Sequence, residues 1–188
     1  MRRFLSATAG CARLLREGTA SEIAEAALVL PLAFMLLLGI YWFGRAFNVY
    51  ATINHAAREG ARAAVAQSCA TCTPGNQSLT PSQVAAVVTG ALKASSVDPG
   101  QAQAYAPEAN FCVGNAGSQC TAVPVGATSS GEITVCTDVQ LTPPASTYPP
   151  VCGVSVSFQY PYQMSLPFTS LNQQQFLLKA NVQMKGEY

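Results

Sequence analysis

Between Ala26 and Gly44 the chain runs for 19 residues without a charge, with Pro31 inside the run. At 1.5 Å per residue a helix of that length covers close to 30 Å, the thickness of a bilayer's hydrocarbon core, which takes about 20 residues to cross. The chain totals 188 residues. That leaves room beyond the run for one modest folded domain and excludes a large multi-domain enzyme. Ahead of the run stand Arg2, Arg3, Arg13 and Arg16, against Glu17, Glu22 and Glu25. Lys and Arg rather than net charge set orientation, so the N-terminus is expected in the cytoplasm and the C-terminal part outside it. A cleaved secretory signal is the alternative. The long basic leader, the long apolar run and the lack of a small-x-small cleavage site before a break in pattern all oppose it.

The chain instead continues into RAFNVYATINHAAREGARAAVAQ, which holds no Pro and a single Gly. Arg45, Asn48, Thr52, His55, Glu59 and Arg62 recur there at steps of three and four, which places them on one helical stripe. The remaining surface is apolar and small, and it calls for an apolar partner: the chain's own C-terminal domain or neighbouring helices. Ala56, Gly60 and Ala63 would allow close helix contact. One helix from about Glu22 to Gln67 would be close to 70 Å long. The expected organisation is a cytoplasmic leader-like segment over 1–20, a transmembrane and stalk helix over 21–67, and an exported domain over 68–188.

Only 10% of the residues are charged, against about 25% in ordinary soluble proteins, and the net charge is +1. With no basic stripe interleaved with aromatics, nucleic-acid binding is set aside. TPSQVAAVVTGALKASSV reads as a second helix with Thr80 as cap, Pro81 in the first turn and Val84, Val87, Val88, Ala91 and Leu92 as its apolar face. The stretch from Asp98 to Gly131, rich in Gly, Pro, Asn and Ser, reads as loop. Three alternating segments follow, with Ile133, Val135, Val139 and Leu141 on one face, then Val154, Val156, Phe158 and Tyr160, then Leu178, Ala180, Val182 and Met184. TPPASTYPPV, residues 142–151, is a proline-stiffened connection between the first two. The fold class is α+β: a long transmembrane helix continuing as a stalk, packed on a small exported domain with a second helix and an antiparallel sheet of three or more strands.

Cys11 falls on the expected cytoplasmic side, while Cys69, Cys72, Cys112, Cys120, Cys136 and Cys152 fall on the exported side. Six is an even number, and an oxidising compartment would pair them into braces. Connectivity is not readable: Cys112 with Cys120 would close a small loop, and Cys136 with Cys152 would bridge strands if a bulge at Gly153 brought them to one face. The CATC at 69–72 also has the spacing of a redox dithiol, but it follows a long helix rather than a strand of a βαβ unit. A zinc site would need a second CxxC or a His pair, and His55 is the chain's one histidine. No metal or other cofactor is expected. No nucleophile elbow, phosphate loop or helically spaced pair of acids is present, so no catalytic residue is assigned and the chain reads as a non-enzyme. Asp98, Glu108, Glu132 and Asp138 read as solvated charges.

The segment AEAALVLPLAFMLLLGIYWFGRAFNVYATINHAAREGARAAV resembles the N-terminal signature of the TadE/TadG-like family, minor pilins (pseudopilins) of the tight adherence (Flp) pilus system. The matching residues are Glu25, Ala27 to Pro31, Phe43 to Arg45, and Ala56 to Arg62, the last including Arg58, Glu59 and Gly60. VSVSFQYPYQMSLPF and LKANVQMKGE resemble the family's closing strands more loosely. The resemblance implies a structural pilus component in the inner membrane, with other pilin subunits, the assembly platform, membrane lipid and a prepilin peptidase as partners. It also bears on the acids before the apolar run. Prepilin-type processing leaves a Glu at the fifth mature position, where a neighbouring subunit's α-amino group would neutralise it. Glu25 meets that spacing if the cut follows Ala20 and leaves Ser21 first, whereas a cut after Gly18 would put Glu22 fourth, and no cut at all is a third course. The plainer role for both acids is helix N-terminal electrostatics with Ser21 as cap. Two other functions stay open: a single-pass extracytoplasmic binding or sensory protein, and an exported redox enzyme using Cys69 and Cys72.

Overall fold

The computed structural model describes residues 18–66, 78–107, 109–112, 119–126, 130–143, 149–163 and 175–186, with side chains from Glu22 onward. The fold is α+β. Its first element, α1, is a 48-residue helix over Gly18–Val65. The chain divides into two compact units, Met1–Arg45 and Ala46–Tyr188, with the division falling inside α1. Pro31 lies within the helix without ending it. The helix begins one turn ahead of the expected start near Glu22, so Ser21 belongs to the first turn instead of capping it.

In the second unit the elements after α1 are α2 (Pro81–Ala94), a 3₁₀ turn (Pro99–Gln101), and strands β1 (Gln103–Ala104), β2 (Cys120–Val125), β3 (Gly131–Gln140), β4 (Cys152–Gln163) and β5 (Gln175–Lys185). The helix start of α2 is a full capping box: the Thr80 hydroxyl accepts from the Gln83 amide, and the Gln83 side-chain oxygen accepts from the Thr80 amide. Pro81 costs nothing there, because the first helical amide has no partner in any helix.

All strand pairings are antiparallel. β4 is the spine, with β5 along the whole of one edge and β3 on the other, β1 continuing that second edge where β3 ends, and β2 outside β3. One face of this sheet carries Ile133, Val135, Val154, Val156, Phe158 and Ala180, and α1 and α2 supply Ile53, Ala56, Ala57, Ala61, Val84, Ala85, Val88 and Leu92 to the same core. Full burial contributes roughly 1.5–3 kcal/mol for each large aliphatic or aromatic side chain, so this core carries most of the domain's stability.

Three sequence expectations change. The stretch from Asp98 to Gly131 holds the 3₁₀ turn, β1 and β2 besides loop, because strand pairing with β3 and β4 orders residues of weak propensity. Val139 does not share a face with Ile133 and Val135. The β3 to β4 register shifts between Cys136 and Val139, an extra residue is accommodated with Asp138 at φ 56, and a one-residue slip turns every later side chain over. The bulge therefore lies in β3 opposite Gly153, which pairs regularly with Val139 and Lys185. In α2, Ala85 is buried, and Val87, assigned to the apolar face, is exposed.

The second face of the sheet is also covered, which alternation alone does not anticipate. Ser155 and Ser157 on β4 and Cys136 on β3 are fully buried there. The chain leaves β1 on the β4 edge and reaches the far edge of β3, where Phe111 bridges Val139, so it passes over this face. Ser157 donates its hydroxyl to the Tyr105 carbonyl at 2.6 Å, and the Ser155 hydroxyl lies 3.0 Å from the Asn181 side-chain oxygen. Lys179 of β5 sits 4.6 Å over the Tyr105 ring. Two disulfides brace the sheet. Cys112 is bonded to Cys152, and Cys120 to Cys136, so neither pairing offered by the sequence forms. Cys120 and Cys136 are direct cross-strand partners with Cα atoms 4.0 Å apart. The next pair along exchanges a hydrogen bond from the Thr137 amide to the Gln119 carbonyl, which makes the cysteines a narrow, non-hydrogen-bonded pair. Cys11, Cys69 and Cys72 lie outside the described residues.

Candidate functional site

The two parts of α1 place the expected residues in different surroundings. In the first unit the side chains from Ala26 to Phe43 are uncharged on every side, and Ile23, Leu28, Leu32, Met35, Leu36 and Phe43 are each more than half exposed. Soluble monomers rarely keep a surface of this kind in water, since their contiguous exposed apolar patches seldom exceed a few hundred Å². Ala26, Pro31 and Gly44 are exposed within it, and Glu22 and Glu25 are exposed at its start. Gly18, Ala20 and Ser21 are helical in backbone. No acid stands in the first turn, so neither Glu22 nor Glu25 lies where the partial charge of the helix end acts most strongly.

In the second unit α1 has two distinct faces. Ile53, Ala56, Ala57, Gly60, Ala61 and Ala64 are buried, while Arg45's successors on the polar stripe point away: Asn48, His55 and Arg62 are exposed or half-buried, as are Thr52 and Glu59. Arg45 itself and Arg58 are exposed. Gly60 explains its own presence. A Cβ there would overlap the Val88 side chain of α2 and come within 3.7 Å of Val156 and Val84. Of the small residues suited to close helix contact, Ala56 and Gly60 thus find a partner in the same chain, α2 and the sheet, while Ala63 is half-buried. Gly39 and Gly44, by contrast, have nothing within 4 Å of an added Cβ.

The bulge also shapes a feature that no motif announces. Thr137 and Asp138, with Ala64, Ser78, Leu79, Val84, Val135 and Val154, line a cavity of about 340 Å³. Its position follows from strand register, which a single sequence does not display. Asp98, read as a solvated charge, accepts a hydrogen bond from the Gly100 amide at 2.9 Å and caps the 3₁₀ turn. Burial, and after it the Asp98 carboxylate, hold the Tyr160 phenol above its ordinary value of 10.0. Among the described residues, no group of three His, Cys, Asp or Glu is gathered as a metal site.

Residues 21–62 match the family model described as TadE-like protein. This segment is TadE-like. The match begins just ahead of the exposed apolar helix and ends two residues beyond Gly60, so the TadE-like segment contains both the membrane-length run and the glycine that seats α1 on the domain. The match suggests a component related to the Tad pilus, within a family that is structural in character. Among the described residues, one helix near the N-terminus is long and apolar enough to cross a membrane, which is consistent with an anchor. No curated protein and no solved structure matches the chain.

Proposed function

We propose that the chain is a minor pilin-like (pseudopilin) structural component of tight adherence (Flp) pilus assembly, incorporated or anchored through its N-terminal helix. The observation that carries this reading is the coincidence of the TadE-like match with a helix whose apolar side chains stand exposed from Ile23 to Phe43. In this reading residues 1–20 are a cytoplasmic leader, 21–67 cross the inner membrane and form a stalk, and 68–188 form a periplasmic or extracellular domain. The basic leader supports that orientation. The partners are other pilin subunits, the inner-membrane assembly platform, lipid and the prepilin peptidase.

Glu25 is the assembly carboxylate of this proposal, with Gly18 or Ala20 preceding the cut. Its place two turns inside α1 weakens the capping alternative, because the dipole's influence is confined to the first turn. Sheared filaments probed for this protein, together with sequencing of the mature N-terminus, test the reading. Cofractionation with filaments and a new N-terminus at Ser21 or Thr19 are the expected results. A full-length protein confined to membranes would return the chain to a single-pass binding or sensory role. Glu25→Ala should block incorporation while leaving the domain folded, because an apolar bundle loses about 3–5 kcal/mol when one partner of a buried charge pair is removed. Glu22→Ala should change assembly by less than about 1 kcal/mol. Reversed phenotypes would move the assembly role to Glu22 and the cut to Gly18.

A further inference from the structure

The exit of the apolar run is marked by three successive aromatic residues, Tyr41, Trp42 and Phe43, and by Arg45, the first charge after Glu25. Successive residues are about 100° apart around a helix, so the three rings cover most of the circumference and not a single stripe. Tyr41 and Phe43 are 59% and 68% exposed. The Tyr41 and Trp42 rings meet edge to face with centroids 5.4 Å apart. The Arg45 guanidinium carbon lies 5.8 Å from the Trp42 ring centroid, one helical turn away. Tyr and Trp pair an apolar body with a polar tip, and an Arg beside them reaches for anions while its stem stays on the apolar surface.

We infer that Tyr41, Trp42 and Arg45 form an anchor in the headgroup layer of the bilayer and set the depth of the helix. This rests on the membrane reading above and adds a position to it. The occupant is the lipid interface: the guanidinium meets lipid phosphate, while the indole and phenol take the amphipathic layer in which such rings collect. The placement has a consequence for the acids. Counting back about 20 residues, or about 30 Å, from Trp42 reaches Glu22 at the opposite boundary. Glu25 then lies about 4–5 Å inside the hydrocarbon, one turn deeper than Glu22. The two carboxylates are thereby unequal: Glu22 can reach water, and Glu25 needs a partner within the membrane.

Trp42 is the only tryptophan in the chain, so its fluorescence reports this one level. The full chain reconstituted in phosphatidylcholine and phosphatidylglycerol vesicles is quenched by lipids carrying bromine near the headgroup, midway along the acyl chain, or at its end. Strongest quenching by the shallow label is expected, and the variant carrying Tyr41→Leu with Arg45→Leu should shift the maximum to a deeper label. A wild-type maximum at the chain end, or an unchanged profile in the variant, overturns the anchor while leaving the membrane span in place. Quenching by aqueous iodide with none by lipid overturns both the anchor and the span. Protection from every quencher means that protein rather than lipid covers Trp42, and also overturns the anchor.

Discussion

The two stretches of α1 on either side of Arg45 share one backbone and differ in what their side chains need. Between Leu28 and Phe43 the residues are mostly large and apolar in all directions, and among the described residues nothing else in the first unit covers them. After Arg45 the inward residues are mostly alanines and a glycine, and they are covered by α2 and the sheet. Large side chains all round suit a fluid solvent that conforms to any shape, whereas small ones on one side suit a fixed partner that must come close. Residue size on the helix therefore distinguishes a surface meant for lipid from one meant for protein.

Substitutions of similar chemistry should separate the two stretches, and the largest effect is expected from large-to-small changes. Phe158→Ala, in the core beneath α1, should destabilise the domain by about 3–5 kcal/mol in denaturant titrations of the detergent-solubilised protein. Leu36→Ala, two-thirds exposed in the first unit, should leave that transition where it was. A matching loss for Leu36→Ala would mean that the apolar run has a protein partner within the chain.

The disulfides come next, and both belong to the second unit. Bonds across sequence separations of 40 for Cys112–Cys152 and 16 for Cys120–Cys136 restrict the unfolded chain by about 4 and about 3 kcal/mol respectively. Replacing either pair by serine should lower the domain's unfolding midpoint, with the larger drop for Cys112 and Cys152. The reverse order would show that native packing around the cysteines outweighs loop entropy.

Glycine gives a finer contrast. Gly60→Ala forces a methyl group into Val88 and should cost about 1–3 kcal/mol. Gly39→Ala meets no neighbour and should instead favour the helix by up to about 1 kcal/mol, read by circular dichroism. Equal effects at the two positions would erase the distinction between the stretches.

The smallest effect is alkaline. Burial, with the charge of Asp98, raises the Tyr160 phenol above 10.0 in the folded domain. Below that pH both states are protonated and this group adds no slope. Above it the unfolded chain loses the proton first, so stability should fall as pH climbs toward the folded value. Tyr160→Phe should flatten this decline in pH-dependent melting, and an unchanged slope would assign the decline to other groups.

The α1 span, the start of α2 at its capping box, and the alternating faces of β4 and β5 were legible because each rests on local physics. A helix needs only its own backbone partners, a cap acts over four residues, and alternation puts every second side chain on one face. The face of Val139, the strands within 98–131 and the partners of the four described cysteines were not legible. Each depends on which strand lies beside which, and on one extra residue at Asp138 that reverses the faces beyond it. Gly60 shows the division within a single residue: the sequence announces a close approach there, and only tertiary packing decides that Val88 of the same chain is what approaches. Local chemistry determined the membrane-length helix and its acids from sequence alone. Strand register, a long-range choice made by packing, decided the disulfides, the bulge and the second buried face of the sheet.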